Sequence, residues 1–447
     1  MRMTAVVGTA LSLGLVAGCS AGAGTDAKAG GGTQKAGEAS PSAAKGPVYA
    51  GAPVPGLAKE QAWSLPGGGG MTCAGEASKG DKTERSICAL GDAVVVTGPS
   101  DTGGLTARLL DAKSGEVRKK FDFEKPADGG SATYAPERLV QVGEWRDGSP
   151  ALLVRTRVDT PEKDLKKAST QTVLTMYAPS GEQLGSSTFD GDSRMDTPVR
   201  GGYVVDTSAG GGDARFLPIG AGETLNPGFS YLGSKGQVGP GLGYSWTEET
   251  TFQPYAGWLV ATDIRSGKKA WSTKDLAPPA AIAKLVTPES ATTARMAPLH
   301  GDKAVLEWSA YGRTEAVLTS IDLKTGRRIA EGPGIDANGT VDDDGQAVSP
   351  DGKTAVVQYG KGAVAWNPET GKELWRQAKD EQNIRPRALP GNGVLYAVLE
   401  SGKAVALGAG DKKLLTAEME ELPQFTANGY AVVRSADGLF VFATQPV

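Results

Sequence analysis

Apolar residues fall along this chain in short runs separated by glycine, acidic and hydroxyl residues, as in Val317-Leu-Thr-Ser-Ile321, Tyr430-Ala-Val-Val-Arg434 and Leu439-Phe-Val-Phe-Ala443. Runs of that length, bounded by turn formers, predict strands. The clearest strand pair brackets Ala261-Thr-Asp263-Ile-Arg-Ser266-Gly267-Lys-Lys-Ala-Trp271, and the same grammar returns in Ala365-Trp-Asn367-Pro-Glu-Thr370-Gly371-Lys-Glu-Leu-Trp375. Asp263 or Asn367 can bond its own backbone two residues on, and Gly267 or Gly371 takes the positive φ of the turn. The Trp four residues past each glycine then falls on an outer strand, where its flat face can be buried against a neighbouring sheet. Val348-Ser-Pro350-Asp-Gly352, followed by Thr354-Ala-Val-Val, predicts a hairpin.

Partial copies stand at Asp111-Ala-Lys-Ser114-Gly115, Asp322-Leu-Lys-Thr325-Gly326 and Tyr177-Ala-Pro-Ser180-Gly181. The turn glycines at 326 and 371 are 45 residues apart, and those at 267 and 326 are 59 apart. A period near 45 in strand-rich sequence suggests propeller blades. On these residues the chain resembles the quinoprotein-like (pyrroloquinoline-quinone-type) β-propeller repeat. The resemblance implies an all-β fold in which the motif docks one blade on the next, through Asp263, Gly267 and Trp271 and through Asn367, Gly371 and Trp375. It implies nothing about a cofactor, because the motif is structural in that family.

Blades are expected at about 71–123, 135–190, 195–228, 236–275, 292–332, 345–377 and 384–417. The C-terminal 25 residues hold three strands, and Ala62-Trp63-Ser-Leu-Pro66 reads as a lone outer strand with the docking Trp but no turn. Pairing the two would complete an eighth four-stranded blade and close the ring, removing the edges of an open array. The third blade lacks the signature, and without it the count is seven. The abundance of glycine (63) and proline (27) with few aromatics (6%) fits many short strands and turns, so one propeller over 48–447 accounts for the length better than three domains. A net charge of −4, with Lys and Arg scattered, gives no basic footprint for nucleic acid.

Residues 1–18 carry Arg2, an apolar stretch too short to span a bilayer, and the ending Leu15-Val-Ala-Gly18-Cys19. This resembles a bacterial lipoprotein signal with its lipobox, and the resemblance implies that Cys19 is diacylated and becomes the mature N-terminus. An ordinary signal peptide is the alternative. Residues 19–47 are mostly Ala, Gly, Ser, Thr and Lys, so they have little to bury and form a disordered tether. Its flexible part, 20–45, has a reach of roughly 28 Å. With Cys19 assigned to lipid, an exported chain most simply pairs the remaining Cys73 and Cys88 in a disulfide within the first blade.

Quinoprotein dehydrogenases share the resembled fold, and in them the quinone typically sits against adjacent cysteines with calcium nearby. This sequence has no Cys-Cys pair, which argues against quinone, and no cofactor is expected. His300 is the sole histidine and falls in a turn, and no G-x-S-x-G elbow accompanies it. Oxygen side chains alternate at Asp336, Asn338, Thr340, Asp342 and Asp344, as in a calcium loop. The run departs from the EF-hand pattern at Val341 and Ala347, so calcium is a weak candidate beside a solvated loop.

A partner surface is suggested where Tyr244, Trp246, Phe252, Tyr255 and Trp258 crowd in and beside the two-to-three loop of the fourth blade. The charged insertion 159–167 of the second blade falls on the same face. The competing reading packs Trp246 and Trp258 between blades. Taken together the sequence predicts a membrane-anchored, extracytoplasmic propeller that binds or scaffolds envelope proteins; the alternative is an enzyme acting on a small molecule or sugar in the central channel.

Overall fold

The computed structural model describes residues 46–67, 69–70, 85–99, 104–123, 140–160, 167–190, 195–206, 214–220, 237–238, 242–247, 258–263, 266–285, 291–299, 302–310, 314–336, 345–360 and 362–447. All lie in the unit Lys45–Val447; the unit Met1–Ala44 is outside the described residues. They form eight sheets taken in chain order, almost every neighbouring pair of strands antiparallel.

The first sheet runs through Arg85–Leu90, Ala93–Pro99, Leu105–Asp111 and Val117–Phe123, and the second through Val140–Glu144, Pro150–Thr160, Ser169–Tyr177 and Gln183–Asp190. The third has Met195–Val199, Gly202–Asp206 and Ala214–Pro218. The fourth has Gln237–Val238, Leu242–Thr247, Trp258–Asp263 and Lys269–Ser272. The fifth is Ala291–Pro298, Lys303–Ala310, Glu315–Asp322 and Arg328–Asp336; the sixth is Gln346–Val348, Ala355–Tyr359, Gly362–Trp366 and Glu373–Arg376. The seventh is Ile384–Ala388, Val394–Leu399, Ala404–Gly408 and Leu414–Met419. In the eighth, Gln424–Phe425, Tyr430–Ser435 and Gly438–Thr444 are joined by the N-terminal strand Leu57–Pro66, with Trp63 opposite Val441 and Leu65 opposite Leu439.

The apolar runs are unbroken because both faces of each central strand are covered. In Ala93–Pro99, Ala93 and Val95 enter the core shared with the second sheet, while Val94 and Val96 enter the core shared with the eighth. In Gly362–Trp366, Ala363 and Ala365 face the seventh sheet and Val364 and Trp366 the fifth. Period-two alternation is thus present, but it sorts residues between two seams instead of between core and water. The chain is a β-propeller on this evidence of stacked four-stranded sheets and on its repeats.

Three features differ from the sequence expectations. The third sheet has three strands among the described residues. The first gains a fifth, Gly69–Gly70, parallel to Arg85–Leu90. Between the fourth and fifth sheets the chain forms a 3-10 turn, Thr273–Asp275, and a one-turn helix α1, Ala280–Ala283, where strands alone were expected. Pro279 stands at its N-cap without a capping side chain, and the strong helix former Ala at 280 and 281 starts the turn once the chain has left the sheet.

Candidate functional site

The repeat motif is a hydrogen-bonded clasp. Asp263 Oδ1 accepts from the Ser266 amide at 2.7 Å and the Ser266 hydroxyl at 2.8 Å, and the Gly267 amide donates to the Asp263 carbonyl at 2.9 Å. Asn367 does the same with the amides of Glu369 and Thr370, and Gly371 donates to the Asn367 carbonyl. Gly267 has φ of 66° and Gly371 of 78°, in the left-handed region that a side chain resists.

At three seams the corresponding turn receives a Trp from the outer strand of the preceding sheet. The Trp271 indole donates to the Leu323 carbonyl at 3.0 Å, Trp63 to Ala112 at 2.9 Å, and Trp375 to Ala409 at 2.8 Å. The acceptor in every case is the second residue of the turn. The indole also lies flat on the turn glycine: a Cβ built on Gly326 would sit 2.7 Å from the Trp271 ring, and one on Gly115 2.9 Å from Trp63. At Gly326 and Gly115 glycine therefore serves twice over, for its φ and for the close approach.

Between the first and second sheets the docking residue is not Trp. Lys119, four past Gly115, lies over the Tyr177 ring at 4.4 Å, and Phe121 tilts against the same ring with centroids 4.9 Å apart. Arg118 bonds Asp92 at 2.8 Å and the Pro179 carbonyl at 2.9 Å, and its Nη2 reaches Asp111 at 2.5 Å. The Asp92 carboxyl is held below the ordinary carboxylate range chiefly by its bond from Arg118, and that of Asp111 first by the Ser114 amide and then by Arg118. The seventh sheet varies the turn: Lys412 takes the glycine's place at φ 52°, the one non-glycine left-handed residue among those described, and its amide donates to the Gly408 carbonyl.

The candidate recognition residues are placed only in part. Tyr244 and Trp246 lie on Leu242–Thr247, their backbones opposite Ala261 and Leu259, and Phe252 and Tyr255 lie outside the described residues. For Trp258 the packing alternative holds: at 6% exposure this first residue of the third strand belongs to the core between the fourth and fifth sheets. The insertion of the second sheet extends the hairpin Pro150–Thr160 and Ser169–Tyr177, whose end residues Thr156–Thr160 are all exposed, with Asp159 held by Arg157 and Thr170. Residues 161–166 at its tip lie outside the described residues.

Cys88 is buried on Arg85–Leu90, and Cys73 and Cys19 lie outside the described residues, as does His300. Of the acidic run, Asp336 ends the strand Arg328–Asp336, while Asn338, Asp342 and Asp344 are outside the described residues.

Residues 314–441, from the third strand of the fifth sheet to the last strand of the eighth, match the family model described as "Outer membrane protein assembly factor BamB". The chain carries quinoprotein-type propeller repeats. Solved structures similar to it include BamB from Moraxella catarrhalis, at 15% identity over 80% of this chain and 95% of that one, with a TM-score of 0.41. Another is the uncharacterized protein lmo1340 from Listeria monocytogenes EGD-e, at 10% identity over 78% of this chain and 100% of that one, TM-score 0.40. A third is dipeptidyl peptidase 4 of Porphyromonas gingivalis, at 11% identity over 80% and 58%, TM-score 0.44. No curated protein matches the chain significantly.

Proposed function

We propose that the chain is a lipid-anchored, extracytoplasmic β-propeller of the cell envelope that binds or scaffolds other proteins without catalysing a reaction. The observation that carries this is the match of 314–441 to a family described by its part in outer membrane protein assembly. The apolar N-terminal stretch ending in Ala17-Gly18-Cys19 supports the anchor, and Ser20–Lys45 supports a tether between lipid and propeller.

The propeller is an eight-bladed ring in this proposal, closed where Leu57–Pro66 pairs with Gly438–Thr444 and where the eighth sheet shares a core with the first. A Cys73–Cys88 disulfide would staple that first blade. The partner surface is the face bearing the hairpin end Thr156–Thr160 and the aromatic stretch from Tyr244 to Tyr255.

The test is cross-linking in intact membranes followed by capture through the full chain. A defined envelope protein recovered with wild type, and lost when Trp246 and Tyr255 are both replaced by Ala, is the expected result. Recovery of the same protein at the same yield with the double variant overturns the proposed surface, and recovery of none overturns the binding function.

A further inference from the structure

The fourth and sixth sheets end in matching outer strands of four residues, Lys269–Ser272 and Glu373–Arg376, each carrying the docking Trp. A strand that short leaves part of the next sheet's face uncovered. After Lys269–Ser272 the chain covers it: helix α1 packs on the second and third strands of the fifth sheet, and Ile282 is fully buried there with Leu276 packed beside it. The plug is held by polar contacts, since Arg328 donates to the Ala277 carbonyl and Glu331 accepts from the amides of Ala280 and Ala281.

The corresponding connection after Glu373–Arg376 is Gln377-Ala-Lys-Asp-Glu-Gln-Asn383, which has no large apolar residue to insert. At the matching place, against the second and third strands of the seventh sheet, there is a cavity of 330 Å³ whose apolar lining is Ile384, Leu399, Val405, Leu407 and Leu414, with Gln377, Gln382, Glu381 and Lys412 as its polar lining; Ile384, Val405 and Leu407 also belong to the buried core of that seam. Leu414 stands two residues past Lys412, as Arg328 stands two past Gly326, and is 54% exposed.

The charges at the mouth are already matched. Lys412 Nζ lies 2.6 Å from each Glu381 carboxylate oxygen and 2.9 Å from the Arg376 carbonyl, while Arg376 pairs with Glu373. These paired charges leave the apolar walls as the attraction and give a polyanion or anionic bilayer little purchase.

We propose that this cavity is a docking site for a branched aliphatic side chain presented by a partner polypeptide, which does in trans what Ile282 does within the chain. The proposal rests on the protein-binding function above and places a contact at the seam of the sixth and seventh sheets. Its occupant is a Leu- or Ile-bearing segment, in the helix-in-groove manner, because the sibling seam is filled that way.

The probe is a blocked peptide copying residues 273–285, titrated against the full-length chain bearing Cys19→Ala so that no anchor or detergent competes. Methyl NMR of Leu399, Val405, Leu407 and Leu414 reads occupancy. Saturable shifts at these methyls, on the order of tenfold weaker when the peptide carries Ile282→Asp, are expected. Absence of shifts at millimolar peptide overturns the proposal, as does equal binding of the two peptides. Laurate that shifts the methyls where the peptide does not would assign the cavity to an acyl chain and overturn it as well. Peptide binding with no partner captured from membranes removes only the earlier reading, and a captured partner with no peptide binding removes only this one.

Discussion

The indole of Trp271 donates to the carbonyl of Leu323 and covers Gly326, so one side chain on the fourth sheet caps a backbone turn on the fifth. Trp63 repeats both contacts at Ala112 and Gly115, and Trp375 repeats the carbonyl bond at Ala409, where Lys412 stands in the glycine's place. Truncating Trp271 removes a buried ring and its hydrogen bond to the Leu323 carbonyl, so Trp271→Ala is expected to cost about 3–5 kcal/mol. Urea unfolding measures it; a loss below about 1 kcal/mol would show that the ring carries little of the seam.

Gly326→Ala attacks the same contact from the other side. The added Cβ would lie 2.7 Å from the Trp271 ring, at a φ of 70°. Backbone strain alone costs about 1 kcal/mol, and the clash adds to it. In a Trp271→Ala background the clash is gone, so the two losses should be less than additive by more than about 0.5 kcal/mol. Strict additivity in the double-mutant cycle would contradict the stacked geometry.

The seam between the first and second sheets is expected to be acid-sensitive. Asp92 and Asp111 have carboxyls lowered in the folded state, so their contribution is present above the unfolded value near pH 4 and is lost as pH falls through the lower folded values. Arg118→Ala should therefore lower the melting temperature most at pH 7, with the gap narrowing as pH is taken from about 4 toward 2. The pairs are partly exposed and worth about 0.5–1 kcal/mol each. A gap independent of pH would mean that the bond to the Pro179 carbonyl, and not the two carboxylates, carries the contribution of Arg118.

Much of this architecture is legible in the sequence because the turns are written in side chains that bond their own backbone. Asp263, Ser266 and Gly267 define a turn without reference to anything distant, and a Trp at fixed offset marks the seam. What the sequence hid depends on neighbours. Lys119 substitutes for Trp only because Tyr177 offers a ring across the seam, and Lys412 replaces glycine in the seventh sheet's turn, where its side chain reaches Glu381. For Trp258 the sequence left surface and seam both open, and only its place at the start of a strand beside the fifth sheet decides for the seam. Helix α1 had a local signal in Pro278-Pro279-Ala-Ala, but its role became visible only with the uncovered face of the fifth sheet in view.

Deleting residues 46–66 should loosen the eighth sheet as well as the N-terminus. Leu57–Pro66 pairs along Gly438–Thr444, and Trp63 packs in the core that Val432, Leu439 and Val441 share with the first sheet. Amide exchange from Tyr430 to Phe442 should rise in the deletion variant. Unchanged protection there would mean that the last three strands stand without the first.

The claim that this is an anchored, partner-binding propeller is tested most directly by comparing Trp246→Ala with Trp271→Ala in membrane cross-linking. The account predicts that Trp246→Ala keeps wild-type stability and membrane retention while losing the cross-linked partner, whereas Trp271→Ala loses stability first. If Trp246→Ala melts as early as Trp271→Ala, or holds the same partner at full yield, the proposed recognition surface is contradicted.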